Sequence, residues 1–194
     1  MEIINKICEK ARQIEKEKGR CIIAIDGRCG SGKSTLAALL AEKLPVQTVY
    51  LDDFFLPFEI RTPERMAEAG GNIHYERFLD EVISNLDKDS FDYGVFDCSV
   101  MKINGTSHIE NKGIIIFEGS YSLHDKFGKY YDVAIFSDVN YETQVERIRK
   151  RNGEEMLKRF VNEWIPMEEK YFKAQKTAEK CDFIISSAGK GEKL

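Results

Sequence analysis

The sequence predicts a single α/β domain in which helices cover both faces of a parallel sheet of about five strands, the doubly wound arrangement. Short apolar runs rich in β-branched residues alternate with longer amphipathic segments, which is typical of this fold class. The runs are 22–25, 46–51, 114–117, 133–136 and 183–185. A glycine-rich loop joins the first run directly to a helix-forming segment. The 194 residues are enough for one domain with a sizeable core.

That glycine-rich loop carries the strongest motif in the chain, G-x-x-x-x-G-K-S over residues 27–34. Its glycines let the backbone turn tightly, so that several N–H groups face one centre, and the helix N-terminus adds partial positive charge. Lys33 can reach the β- and γ-phosphates, and the Ser34 hydroxyl can bind Mg²⁺. The motif therefore predicts binding of ATP, or of another nucleoside triphosphate, together with Mg²⁺. The predicted nucleotide-binding residues are Gly27, Arg28, Cys29, Gly30, Ser31, Gly32, Lys33, Ser34 and Thr35.

Composition and charge exclude other classes of function. The net charge is −4 and no run of Lys and Arg stands out, so we expect no nucleic-acid partner. No apolar stretch is long enough to cross a bilayer, so we expect no membrane partner. Five scattered cysteines lack the C-x-x-C spacing, which favours free thiols and a cytoplasmic location. The sequence leaves the formation of a homo-oligomer open.

Carboxylates follow two of the predicted strands. Asp52 and Asp53 follow the second apolar run, and Glu118 follows the third. Ligands of α/β sheets bind at the carboxyl ends of the strands. A phosphotransferase needs a carboxylate that orients the attacking hydroxyl and accepts its proton, and a carboxylate beside a phosphate loop suits Mg²⁺. A turn or helix cap is the alternative for the aspartate pair. Asp138, which follows the fourth apolar run, is a second candidate for the metal carboxylate beside Glu118. We expect Asp138 to be a capping residue rather than a metal ligand.

Two further segments bear on function. The predicted helix over 141–151 is basic, and its Arg147 and Arg151 lie one turn apart on one face. Arginines near a γ-phosphate stabilise the transferred charge, although a solvated helix face is the alternative. A second helix is predicted over 154–180, interrupted at Pro166.

The segment 61–113 is predicted to leave the main sheet as a small excursion. We expect a short helix over 63–69, an amphipathic helix over 73–86 and a hairpin. The dipeptide Asn104-Gly105 is a strong turn signal, so we place the hairpin turn there.

Together these motifs resemble the uridine kinase branch of the P-loop kinases, which also includes phosphoribulokinase and bacterial pantothenate kinase. The resemblance covers nearly the whole chain after the N-terminal helix. It is carried by residues 27–35, 52–55, 72–78, 96–97 and 117–119, by the arginine-rich segment and by 180–185. It implies one P-loop kinase domain over 1–194, with 61–113 on the acceptor side and 141–160 as a lid.

The resemblance also implies roles for individual residues. Asp52 is similar to the general base of these kinases, Glu118 to the carboxylate near Mg²⁺, and Arg147 and Arg151 to the lid arginines over the phosphates. With Lys33, these arginines and Asp52 are the predicted catalytic residues, and Ser34 and Glu118 are the predicted metal ligands. The predicted acceptor-side residues are Asp52, Phe55, His74, Phe96, Asp97 and Met101.

Two departures from the family pattern bear on the acceptor. Where nucleoside-phosphorylating members hold the ribose with an aspartate, this chain has His74. Where they read the pyrimidine with a histidine, it has Val100, Met101 and Lys102.

The predicted function is transfer of the ATP γ-phosphoryl group to a hydroxyl of a small metabolite, with a nucleoside as the leading acceptor. The alternatives are a kinase for a sugar or a pantothenate-like alcohol, and a nucleotide-binding regulator that phosphorylates nothing. The acceptor-side carboxylates favour the enzyme, because a regulator does not need them.

Overall fold

The structure is a computed structural model that describes residues 2–186. The strands are β1 (Arg20–Gly27), β2 (Val46–Tyr50), β3 (Ser90–Asp97), β4 (Lys102–Glu110), β5 (Gly113–Glu118), β6 (Val133–Asp138) and β7 (Phe183–Ser186). The helices are α1 (Glu2–Lys18), α2 (Lys33–Ala41), α3 (Pro63–Ala67), α4 (Tyr75–Glu81), α5 (Tyr141–Arg159) and α6 (Ile165–Gln175). Residues 187–194, a predicted tail, lie outside the described residues. Across the described chain, no helix combines the length and apolar character that crossing a membrane requires.

The main sheet has five strands in the order β2-β5-β1-β6-β7, and every neighbouring pair is parallel. This confirms the predicted doubly wound sheet. The central strand β1 pairs with β5 through Ile23 and Ile116, and with β6 through Ile25 and Ile135. These side chains are fully buried, which explains why the strands are continuous apolar runs rather than alternating ones.

Successive residues of β1 face opposite layers of the domain. Ile23 and Ile25 belong to a core that includes Ile7 of α1 and Leu36 of α2. Ile22 belongs to the other core, which contains aromatic side chains from 54–55, α4, the β3–β4 hairpin and α6. The period-2 alternation of side chains along a strand therefore places helices on both faces of the sheet.

The excursion differs in detail from its prediction. The short helix starts at Pro63 as expected, with the Thr62 hydroxyl capping it by accepting from the Arg65 N–H at 3.2 Å. The amphipathic segment over 73–86 forms α4 and then a 3₁₀ turn, Ile83–Asn85, rather than one helix. The break falls at Val82, where the backbone leaves regular helical geometry while the side chain stays fully buried.

The predicted turn at Asn104-Gly105 is wrong. Asp97 pairs with Lys102, so the connection between β3 and β4 lies at residues 98–101, and Asn104-Gly105 lies within β4. The register shifts at this point, so that two residues of β4 oppose the single residue Val95. Gly105 adopts a φ of 149° there. The dipeptide thus supplies the backbone freedom that a β-bulge requires, which is the same freedom that a tight turn requires.

The two C-terminal helices are also divided differently from the prediction. Helix α5 continues to Arg159 across a local break at Gly153, whose φ is 80°. A π-helical turn, Phe160–Trp164, then leads into α6. Pro166 lies in the first turn of α6, where its missing N–H has no intrahelical partner to lose.

Candidate active site

A cavity of about 1050 Å³ opens at the carboxyl edge of the main sheet. Its walls come from the glycine-rich loop, the residues after β2 and β5, the β3–β4 turn, and helices α5 and α6. Small-molecule sites typically measure about 300–1,000 Å³, so this cavity has room for more than one small ligand. Its position agrees with the rule that ligands of open α/β sheets bind beyond the carboxyl ends of the strands.

The glycine-rich loop is held tightly against the neighbouring strand. A Cβ atom on Gly27 would lie 2.0 Å from the carbonyl oxygen of Ser137, which no side chain could tolerate. Gly30 and Gly32 have φ values of 72° and 102°, in the region that favours glycine. Helix α2 begins at Lys33, so the loop leads directly into a helix N-terminus. Backbone donors and a helix dipole therefore converge on one end of the cavity, which fits a polyphosphate.

The ammonium group of Lys33 is held by the loop itself. It donates to the carbonyl oxygens of Gly27 at 2.8 Å and Arg28 at 3.0 Å, and to the Ser120 hydroxyl at 3.3 Å. The side chain is almost fully buried although it lines the cavity. These contacts place the positive charge at the bottom of the phosphate loop.

Glu168 of α6 is a buried carboxylate in contact with the phosphate loop. It accepts from the Cys29 backbone N–H at 2.9 Å and from the Ser120 hydroxyl at 2.7 Å. The two bonds connect α6 to the loop and to the residues that follow β5. The Glu168 carboxylate thus accepts from one of the backbone donors of the phosphate loop.

The predicted metal ligands lie side by side. The Ser34 hydroxyl donates to the Glu118 carboxylate over 3.3 Å, and both side chains line the cavity. Burial raises the pKa of Glu118, and the nearby Asp52 raises it further, whereas the Lys33 charge opposes both. The residues described contain no cluster of three His, Cys, Asp or Glu side chains that could hold a metal. A hydroxyl and one carboxylate nevertheless fit Mg²⁺, which usually takes its remaining ligands from phosphates and water.

Asp52 lies in a 3₁₀ turn, Leu51–Phe54, directly after β2, and lines the cavity. The residue is exposed to solvent where it lines the cavity, although the surrounding protein desolvates its carboxylate in part. Burial raises its pKa, and the charges of Lys33 and Arg151 oppose the increase. The carboxylate therefore lies within the fields of the phosphate-loop lysine and of one predicted lid arginine.

Asp53, the second carboxylate of the pair, does not line the cavity. Its pKa is raised to about 6, mainly by burial, with a further contribution from the charge of Asp52. The Tyr93 hydroxyl opposes this rise because it donates a hydrogen bond to the carboxylate. The hydrogen bond to Tyr93 and its position outside the cavity indicate a structural role for Asp53.

The two predicted lid arginines lie at different places. Arg147 donates to the carbonyl oxygens of Gly30 at 3.0 Å and Ser31 at 3.3 Å, and so contacts the phosphate loop. Arg151 also lines the cavity, and its charge acts on Asp52. Both side chains of the basic helix therefore line the cavity, Arg147 partly buried and Arg151 exposed.

Arg28 points away from the rest of the phosphate loop. Its guanidinium forms salt bridges with Asp138 and Glu169. Asp138 also accepts from the Val139 backbone N–H at 2.8 Å, but its predicted role as a cap is wrong, because Asn140 caps α5 by accepting from the Thr143 N–H at 2.8 Å. Asp138 is thereby engaged away from the Ser34–Glu118 pair.

The predicted acceptor-side residues fall into two groups. Phe55 and Met101 line the cavity, whereas His74, Phe96 and Asp97 do not. His74 caps α4 by accepting from the Arg77 N–H at 3.3 Å, and burial lowers its pKa. Phe96 is buried, and Asp97 accepts from the Ser99 N–H and hydroxyl within the hairpin turn. The roles of these three residues in acceptor binding stay predictions.

Several residues of the cavity were not predicted as site residues. Ser120 lies two residues after Glu118, just beyond a predicted strand, and this position could have identified it as a site residue. Glu168 is one of many glutamates in a charged helix, and Arg61 and Arg159 are two of many surface-like arginines. Only the packing of α5, α6 and the excursion brings these three side chains to the cavity.

No protein-family model matches the sequence. Among solved structures, a possible uridine kinase from Bacillus stearothermophilus has a TM-score of 0.71 at 17% identity, covering 95% of this chain and 100% of that one. A candidate fructose transport system kinase from Silicibacter sp. TM1040 has a TM-score of 0.69 at 22% identity, covering 93% and 98%. A D-glycerate 3-kinase from Cryptococcus neoformans has a TM-score of 0.56 at 13% identity, covering 86% and 87%. The chain therefore has the fold of the P-loop kinases.

Proposed function

We propose that the protein transfers the γ-phosphoryl group of ATP to a hydroxyl group of a small metabolite, with Mg²⁺. The observation that carries this proposal is the position of Asp52. Its carboxylate lines the same cavity as the phosphate loop and lies within the field of Lys33 and Arg151. A carboxylate at that point can receive the proton of an attacking hydroxyl, as phosphoryl transfer to an alcohol requires.

The residues divide the reaction between them. Asp52 orients the acceptor hydroxyl and takes its proton, while the hydroxyl oxygen forms a bond to the γ-phosphorus. The bond between that phosphorus and the β–γ bridging oxygen breaks, which releases ADP. Lys33, Arg147 and Arg151 stabilise the charge on the transferred group. Mg²⁺, held by Ser34 and Glu118, would neutralise charge on the phosphates.

The same geometry separates this enzyme from a nucleotide-binding regulator. A regulator needs the phosphate loop and the metal ligands, but it needs neither Asp52 nor additional cavity volume. The cavity continues beyond the loop along Phe55, Met101 and the apolar side of α5 and α6. This space supports a second ligand beside the nucleotide.

For the acceptor, the resemblance to uridine kinases and the fold shared with a possible uridine kinase favour a nucleoside. The cavity lining favours the alternative, a non-nucleoside alcohol. His74, Phe96 and Asp97 lie outside the lining, which does not support a nucleoside held by these three side chains. The fold also accommodates such acceptors, since the D-glycerate 3-kinase shares it. We therefore place the non-nucleoside alcohol first.

The test is a library screen. ADP release is measured with ATP and Mg²⁺ while small metabolites are added one at a time, including uridine, cytidine, sugars and hydroxy acids. We expect ADP release to rise with one chemical class of alcohol. Equal ADP release with and without every added metabolite would contradict the proposed transfer and favour the regulator.

A further inference from the structure

The cavity contains a positively charged region apart from the phosphate loop. Arg61, which follows the 3₁₀ turn Phe58–Ile60, lines it from the excursion. Arg159 lines it from the end of α5. Neither side chain has a part in holding the triphosphate or in the transfer step described above. Their presence in the same cavity therefore requires a separate explanation.

The guanidinium of Arg61 is held by the protein at its Nε, whereas its two terminal nitrogens remain available to a ligand. Its Nε donates to the carbonyl oxygen of Leu56 at 2.8 Å, and its central carbon lies 4.8 Å from the centroid of the Phe58 ring. Across residues 2–186 no carboxylate forms a salt bridge with it, whereas Arg65 and Arg77 are each paired with a glutamate. These contacts leave the two terminal nitrogens to bind something else.

The electrostatic surroundings of Arg61 are unfavourable to its charge. Partial burial lowers the pKa of Arg61 and the positive charge of Arg159 lowers it further, while the smaller effects of Cys98 and Glu163 oppose the decrease. Arg159 has a partner of its own, since it donates to Glu163 at 3.1 Å. An anion bound beside Arg61 would relieve both the desolvation and the repulsion.

Asp52 and Arg61 line the same cavity, and both lie near one residue of its wall, Cys98. The pKa of the Cys98 thiol, in the β3–β4 turn, is raised mainly by burial, then raised by Asp52 and lowered by Arg61. Both charges therefore act on one point of the cavity wall. A small molecule whose hydroxyl reaches Asp52 can extend to Arg61. The remaining wall there is apolar, with Phe55, Met66 and Met101 among its residues.

We infer, on the basis of the proposed phosphotransfer, that the acceptor is an anionic alcohol whose carboxylate or phosphate group binds Arg61 while its hydroxyl faces Asp52. A guanidinium presents two parallel N–H donors that match the oxygens of either group. A neutral nucleoside offers no such partner and leaves Arg61 desolvated and unpaired. The apolar wall then contacts the carbon skeleton between the two polar ends.

The test compares matched acceptors that differ only in the anionic group. Phosphoryl transfer is measured with ATP and Mg²⁺ for pantothenate against pantothenol, glycerate against glycerol, and ribose 5-phosphate against ribose, with uridine included. We expect transfer only to anionic members. In the first two pairs the anionic group is a carboxylate, and in the third it is a phosphate. The acceptors that are phosphorylated therefore show which of the two groups binds.

The contribution of Arg61 is then tested with variants. Arg61→Gln should raise KM for the anionic acceptor about 10- to 100-fold and leave KM for ATP unchanged. Arg61→Lys keeps the charge but loses the paired donors, so its KM should be intermediate. Arg12→Gln on α1, far from the cavity, is the matched control and should change neither constant.

Three results would overturn the inference. Neutral members that are used as well as their anionic partners would refute it while leaving the proposed phosphotransfer intact. An unchanged acceptor KM in a folded Arg61→Gln variant would also refute the inference alone. Failure of every acceptor, with ATP still bound, would refute the proposed function and the inference together.

Discussion

The carboxylate of Glu168 accepts a hydrogen bond from the backbone N–H of Cys29 at 2.9 Å, inside the loop that we propose holds the triphosphate. The same carboxylate accepts from the Ser120 hydroxyl at 2.7 Å, and the Lys33 ammonium donates to that hydroxyl at 3.3 Å. The buried carboxylate therefore satisfies a donor of the loop, and its negative charge opposes a bound triphosphate. Nucleotide binding must either displace this side chain or tolerate its repulsion.

We predict that Glu168→Gln tightens ATP binding. Glutamine can still accept from Cys29 or Ser120, but it removes the negative charge, so Kd should fall about 3- to 10-fold, on the order of 1 kcal/mol. Isothermal titration with ATP measures this directly. Glu155→Gln, at an exposed position of α5, is the control and should leave Kd unchanged. A weaker affinity in Glu168→Gln would show that the carboxylate supports the nucleotide instead.

The second prediction concerns Lys33. Lys33→Met keeps the aliphatic stem that fills the bottom of the loop and removes the charge from the β- and γ-phosphates. The transfer rate should fall on the order of 10³-fold or more. Steady-state kinetics measure the rate, and thermal unfolding establishes that the variant is folded. A folded variant with near-normal turnover would show that the loop does not act in catalysis.

The third prediction assigns the base. Asp52→Asn should keep ATP binding and slow transfer by about 10²-fold or more. Burial raises the pKa of Asp52. The deprotonated carboxylate, which is the form that can accept a proton, is therefore populated only at a higher pH than in an ordinary aspartate. The wild-type kcat should therefore rise with pH through the acid range and then level off. The variant should lose that rise, and a variant that retained it would exclude Asp52 as the base.

The fourth prediction concerns stability. The pKa of Asp53 is about 6 in the folded protein against an ordinary value of 3.8, so folding disfavours its charged form. This penalty is absent below the ordinary value and complete above the folded one. Asp53→Asn should therefore stabilise the protein near pH 7.5, by about 1 kcal/mol after allowing for partial exposure, and have almost no effect near pH 3. Urea titrations at the two pH values measure this, and a destabilised variant near pH 7.5 would contradict it.

Much of the fold could be predicted because it rests on local patterns. The apolar runs and the G-x-x-x-x-G-K-S motif each specify their structure within a few residues, and Asp52 and Glu118 follow strands directly. The dipeptide Asn104-Gly105 led to a wrong prediction of the hairpin turn, because β-bulges and tight turns require the same backbone freedom. The division of α5 and α6 was missed because Gly153 breaks the helix only locally.

The site was less predictable than the fold, because part of it depends on tertiary packing. Glu168 and Arg61 carry no distinguishing sequence context, and only the approach of α6 and the excursion to the loop brings them to the cavity. His74 was expected near the acceptor because of its place in the family pattern. Its side chain caps the start of α4 and does not line the cavity, and its contact with the acceptor stays a prediction.

The most direct test of the central claim follows the γ-phosphoryl group itself. ATP labelled at the γ-phosphate is incubated with Mg²⁺, the protein and an acceptor mixture, and the label is separated into inorganic phosphate and organic phosphate ester. We predict that the label appears in an ester in wild-type protein and that Asp52→Asn abolishes most of this transfer while ATP still binds. Label found only as inorganic phosphate, at a rate independent of the acceptors, would contradict the account.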